Sequence, residues 1–132
     1  MAITKSVASI LQGMGSAGAR GARTTATPGA SMTFTLTNFI GGPINCGTVR
    51  VKVAGYTGGG GLTSMAVRGS DGTVTVDLGQ IAGSGVAASQ VDVMEDFCTD
   101  YNLTTITVVV TLAGAPTGGT QTADAEVWGA SM

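Results

Sequence analysis

Period-two alternation dominates this chain. In Leu103 to Leu112, LTTITVVVTL, residues Ile106, Val108, Val110 and Leu112 share one face, and Thr105, Thr107, Val109 and Thr111 the other. Every residue from Thr104 to Thr111 is β-branched, which favours a pleated strand over a helix. This run is read as the central strand of the fold. Ser31 to Ile40 alternates Met32, Phe34 and Leu36 against Thr33, Thr35 and Thr37 before Gly41-Gly42-Pro43. Thr48 to Tyr56 turns Val49, Val51 and Val53 inward and Arg50 and Lys52 outward. Ser64 to Arg68 and Thr73 to Leu78 read as a hairpin through Gly69-Ser70-Asp71-Gly72, where Asp-Gly supplies the positive φ of a tight turn. Gln121 to Gly129 is the last strand, with Ala123, Ala125 and Val127 on one side.

Two segments break this rhythm. Ala87, Val91, Met94, Cys98 and Tyr101 recur at helical spacing, with Ser89 placed to cap, so 87–101 is predicted to be a short helix. At the N-terminus, Ile3, Val7, Ile10, Leu11 and Met14 form an apolar stripe, followed by the small, acid-free run GMGSAGARGARTTATPG with Arg20 and Arg23. An extended arm that orders on a neighbouring subunit, a transit peptide and a plain disordered tail all fit this stretch. The arm is the preferred reading. The predicted fold is thus all-β: an antiparallel β-sandwich or jelly roll with about six to eight strands, one short helix and an extended N-terminal arm. Residues 1–30 would be the arm and 31–132 the domain.

Composition sharpens this. Charged residues are 11% of the chain, against about 25% in an average globular protein. A surface so poor in charge suits a protein partly covered by partners. The bases, Lys5 through Arg68, all precede the acids, Asp71 through Glu126. One reading is that oppositely charged surfaces meet when copies assemble. No stretch approaches 18 consecutive apolar residues, so no membrane-spanning helix is predicted.

Candidate chemistry is sparse. Histidine is absent, which removes the usual general base and the commonest transition-metal ligand. Cys46 and Cys98 allow one disulfide or two buried thiols. Four glycines, Gly58 to Gly61, precede Leu62-Thr63-Ser64 and lack the Gly-Lys-Ser/Thr of a phosphate loop. Asp92, Glu95, Asp96 and Asp100 read as a solvated or partner-facing acidic face, since Ca²⁺ prefers a loop contributing carbonyl oxygens. With six bases and a net charge of −2, the chain makes a poor phosphate surface. No cofactor, metal or catalytic residue is assigned, and an enzyme is not expected. Trp128, the only tryptophan, falls on the face of Asp124 and Glu126, as an interface anchor or a ring folded over the sandwich end.

In its arm-like N-terminus and its Thr/Val/Gly-rich strands (SMTFTLTNFI, TVTVDL, LTTITVVVTL) the chain resembles capsid decoration, or cement, proteins of tailed phages. The resemblance implies a β-sandwich on the exterior of a virion, homo-oligomers such as trimers, the major capsid protein as partner, and no enzymatic activity. Ile3, Val7, Ile10, Leu11, Arg20, Arg23 and Trp128 are then the candidate interface residues. The alternative is a secreted or surface-displayed β-sandwich that binds a glycan or a protein; a formed Cys46–Cys98 bond would favour it.

Overall fold

The computed structural model describes residues 20–27, 29–82 and 91–131. They form eight strands: β1 (Arg20–Thr25), β2 (Ser31–Thr37), β3 (Ile44–Gly58), β4 (Leu62–Ser70), β5 (Thr75–Ala82), β6 (Val91–Leu103), β7 (Thr105–Leu112) and β8 (Pro116–Ala130). They make two four-stranded sheets in the orders β1-β8-β3-β6 and β2-β7-β4-β5, and every strand pairing is antiparallel. Successive strands mostly alternate between sheets, the interleaving that defines an eight-stranded jelly roll.

Alternation produces the core directly. Met32, Phe34 and Leu36 of β2, and Ile106, Val108, Val110 and Leu112 of β7, face Val49, Val51 and Val53 of β3 and Ala123, Ala125 and Val127 of β8, all buried. Burying each larger side chain is worth about 1.5–3 kcal/mol. The expected central strand is an interior strand, flanked by β2 and β4. Tyr56 is also buried. Its hydroxyl donates to the Gly60 carbonyl at 3.1 Å, holding the glycine loop that crosses from β3 to β4 in the other sheet, and burial raises its pKa. At the β4–β5 hairpin, Asp71 accepts from the Thr73 and Val74 amides, both at 2.8 Å, and Gly72 takes φ +100°.

Two expectations change. The predicted helix over 87–101 is not one: from Val91 on, the segment is β6, an edge strand zipped to β3 from Val53↔Val91 to Ile44↔Leu103. Its start, 87–90, lies outside the described residues. Helical spacing was coincidental here, because the apolar partners of Val91, Val93 and Phe97 lie across the sandwich. Part of the expected 1–30 arm belongs to the sandwich: Arg20–Thr25 is β1, paired with β8 from Arg20↔Gly129 to Thr25↔Asp124. Ile3, Val7, Ile10 and Leu11 lie outside the described residues.

Candidate interaction surfaces

The outer face of the first sheet gathers most of the charge. Its register places Arg23, Glu126 and Arg50 side by side, with Thr25, Asp124, Lys52 and Asp92 in the adjoining row. Arg50 grips Asp92 with both arms, Nε to Oδ1 at 3.0 Å and a terminal nitrogen to Oδ2 at 2.8 Å. Its other terminal nitrogen lies 3.9 Å from Glu126, whose second oxygen is 3.8 Å from Arg23 Nε. The hydrogen bond from Arg50, with its charge, holds the Asp92 carboxyl below the usual carboxylate range against the opposing effect of burial. The guanidinium of Arg50 is correspondingly raised, chiefly by the same bond.

These pairs revise the reading of the lopsided charge. Bases early in the chain and acids late in it do not make surfaces of opposite sign. Antiparallel pairing lays early strands β1, β3 and β4 against late strands β8, β6 and β5, so Arg23–Glu126, Arg50–Asp92 and Arg68–Asp77 neutralise one another within one copy. The shallow recess lined by Arg23, Arg50, Lys52, Asp124, Ala125 and Glu126 is thus a mixed-charge patch. The acidic group on β6 is also divided up: Asp92 goes to Arg50 and Asp96 accepts from the buried Thr48 hydroxyl at 2.9 Å. Glu95 lies against Gly79 of the other sheet. Among the described residues, no three His, Cys, Asp or Glu side chains converge as a metal site.

Of the candidate interface residues, Arg23 and Trp128 share the outer face of the β1–β8 seam, while alternation turns Arg20 to the other face. Arg20 folds down over Gly41 and donates to the Pro43 carbonyl, so it braces the 40–43 turn. Arg23 keeps a side chain 72% exposed. Trp128 sits on the outer face opposite Gly21 and Thr48, half-buried. Its indole Nε1 is buried with no hydrogen-bond partner. Gly21 makes room for the ring, since a Cβ there would lie 3.0 Å from it and 2.5 Å from the Val127 carbonyl.

The outer face of the second sheet is of another kind. Across β2, β7, β4 and β5 run the rows Thr33–Val109–Ala66–Gln80, Thr35–Thr107–Arg68–Asp77 and Thr37–Thr105–Ser70–Thr75, with Ser31–Thr111–Ser64 beyond them. The one charged pair is Arg68–Asp77, at 3.1 Å. No described strand of this chain lies over the Thr/Val face of β7, and β6 belongs to the other sheet. Sequence alternation located this face, but its extension over four strands needed the register.

Cys46 and Cys98 stand opposite each other on β3 and β6 and form a disulfide. Beside it, Asn45, Thr99, Asp100 and Tyr101 line a second shallow recess.

No protein-family model matches the sequence, and no curated protein matches it. Solved structures share the architecture at low identity. A family 89 glycoside hydrolase from Clostridium perfringens matches at 11% identity and a TM-score of 0.43, over 87% of this chain but only 14% of that one. A family 29 carbohydrate-binding module from Piromyces equi matches at 13% identity and a TM-score of 0.40, over 76% of this chain and 68% of that one. The naturally empty top-component particle of cowpea mosaic virus matches at 11% and 0.38, over 81% and 82%. At these values the likeness is one of fold.

Proposed function

We propose that this chain is a non-enzymatic assembly protein that decorates and stabilises a phage capsid from its exterior, bridging shell subunits. The observation that carries this is the outer face of the second sheet: a broad Thr/Ser/Val/Ala surface over four strands with a single charged pair. Depletion of charge is the compositional mark of an interface core. Such a face can be dried against another protein without desolvating many charges, provided its hydroxyls find partners, and its methyl groups gain about 25 cal/mol per Å² buried. The partner is then the major capsid protein, with further copies of this chain alongside.

A second reading has its own observation. Disulfides persist in oxidising compartments, and the Cys46–Cys98 bond favours a secreted or surface-displayed module that binds a glycan or protein. Its site would be the recess of Asn45, Asp100 and Tyr101, a residue 40% exposed. Against a glycan site, the other aromatics of the described residues are buried (Phe34, Phe39, Tyr56, Phe97) or half-buried (Trp128). Sugar-binding clefts are usually lined by exposed rings.

Cosedimentation decides between them. Coexpressed with the major capsid protein encoded in the same genome, the chain should travel with assembled shells through a sucrose gradient. Val109→Lys should release it without changing its melting temperature. A chain that stays at the top of the gradient and binds sugars on a glycan array, with loss on Tyr101→Ala, overturns the capsid reading for the second.

A further inference from the structure

Among the described residues the sandwich has four edge strands: β1 and β6 in one sheet, β2 and β5 in the other. Free edges invite pairing with other chains, and proteins guard them with charges, prolines, bulges or cover. Three are guarded here. β1 carries Arg20 and Arg23, and its Gly21 carbonyl is taken by the Ile40 amide at 2.9 Å. β6 carries Asp92, Glu95, Asp96 and Asp100. β5 carries Asp77 and is kinked by a register shift against β4 at Val67/Arg68. β2, SMTFTLT, has no charge, no proline and an unbroken register with β7 from Ser31↔Thr111 to Thr37↔Thr105. Ser31, Thr33, Thr35 and Thr37 are all exposed.

The ladder also shows which backbone groups are open. The Leu112 amide donates to the Ala30 carbonyl at 2.7 Å. In an antiparallel pair the hydrogen-bonded positions recur at every second residue, so Met32, Phe34 and Leu36 direct their backbone groups at β7. Those of Ser31, Thr33, Thr35 and Thr37 point away from the sheet.

From this edge we infer that β2 is where a second copy of the chain adds, strand to strand and antiparallel about a two-fold axis at Phe34. This deepens the assembly reading and rests on it. What selects a second copy is that β2 reads alike in both directions. About Phe34, Ser31 meets Thr37, Met32 meets Leu36 and Thr33 meets Thr35, so hydroxyl side chains meet on the outside and apolar ones inside. Parity fits too: the outward-pointing positions 31, 33, 35 and 37 pair only with one another. Four such pairs at two bonds each give about eight new backbone hydrogen bonds. Thr–Thr pairs across the seam add to them. The two β2-β7-β4-β5 sheets become one continuous sheet, and their outer faces, each with the one Arg68–Asp77 pair, become one surface. Such an isologous contact closes on itself and leaves no further β2 edge.

Sedimentation of the full chain across a concentration series tests this. The expected result is conversion of the 13.0 kDa monomer to a species of twice that mass. The amides of Thr33 and Thr35 should slow in hydrogen exchange by roughly tenfold or more on association. Thr35→Pro removes one outward donor at a position where an edge strand tolerates proline and should leave a monomer. A charge pair checks the register independently of folding. Thr33→Lys with Thr35→Lys places like charges opposite each other and should be monomeric. Thr33→Lys with Thr35→Glu places opposite charges there and should dimerise again. A wild-type chain that stays monomeric, or a doubled species that persists in the Lys/Lys variant, overturns the inference. Val109→Lys lies one strand away, so it should keep the dimer while losing the shell. That separates failure of the edge from failure of the capsid reading.

Discussion

Removing the Cys46–Cys98 bond is the sharpest test of how the first sheet is held. The bond ties the edge strand β6 to β3 and joins residues 52 apart in sequence. In the chain-entropy treatment, a loop of this size costs the unfolded state about 14 cal/mol/K, or about 4 kcal/mol at room temperature. The native state loses little when both sulfurs go, because Cys98 is exposed and the β3–β6 ladder continues on to Val53↔Val91. Cys46→Ala with Cys98→Ala should therefore fold to the same sandwich and be less stable by about 4 kcal/mol, out of the roughly 5–15 kcal/mol typical of a domain.

The assay is equilibrium urea unfolding followed by tryptophan emission from Trp128. With an m-value of about 2 kcal/mol/M for a chain of this size, the midpoint should fall by about 2 M. Wild type under reducing conditions should match the variant, and amides of β6 should exchange before those of β7. A variant within about 0.5 kcal/mol of the oxidised protein would refute the reasoning, since that is the range of neutral surface changes.

Three further outcomes are expected. Val108→Thr places an unpartnered hydroxyl in the core and should cost about 1–3 kcal/mol, while Val109→Thr on the opposite face should stay within about 0.5 kcal/mol; paired thermal melts read the difference. The Asp92 carboxyl has its pKa lowered by Arg50, so its contribution is present above the ordinary carboxylate pKa and lost as pH falls through the depressed folded value. Urea midpoints should drop as the pH falls below about 4, and Asp92→Asn should remove this part of the acid dependence. Gly21→Val drives a side chain into the Val127 carbonyl and the Trp128 ring; it should part β1 from β8, shift the emission of Trp128 to the red and lower the melting temperature.

What the sequence made legible follows from the reach of each signal. Strands whose inner face is wholly apolar announced themselves: β7 has Ile106, Val108, Val110 and Leu112 inside, and β2 has Met32, Phe34 and Leu36. β6 did not, because Glu95 falls in the register of its inward positions, opposite Val49, and breaks the alternation. That residue is tolerated at the sheet edge, where it lies over Gly79. The pairing of Cys46 with Cys98 was open for a similar reason: two residues far apart in sequence become neighbours only through the β3–β6 register. The apolar stripe from Ile3 to Met14 lies outside the described residues. The interface candidates Arg23 and Trp128 were singled out one by one, while the seam they share exists only once β1 lies beside β8.

The distribution of charge narrows where this protein can make contacts. On the first sheet each prominent ion pair is formed within the chain, from Arg23–Glu126 to Arg50–Asp92, and half-exposed pairs of this kind contribute little to stability. A partner binding there must either leave them in water or desolvate charges that are already satisfied, which costs more than it returns unless its own groups replace them. The second sheet imposes this cost at one pair, Arg68–Asp77. Its face carries hydroxyls and methyls, and its β2 edge offers backbone groups in a regular array without a charge to repel a neighbour. A partner that re-bonds these hydroxyls and edge amides recovers the cost of drying them, and the main-chain bonds fix the register of whatever pairs there. The proposed assembly therefore uses the second sheet, where the fewest charges would have to leave water.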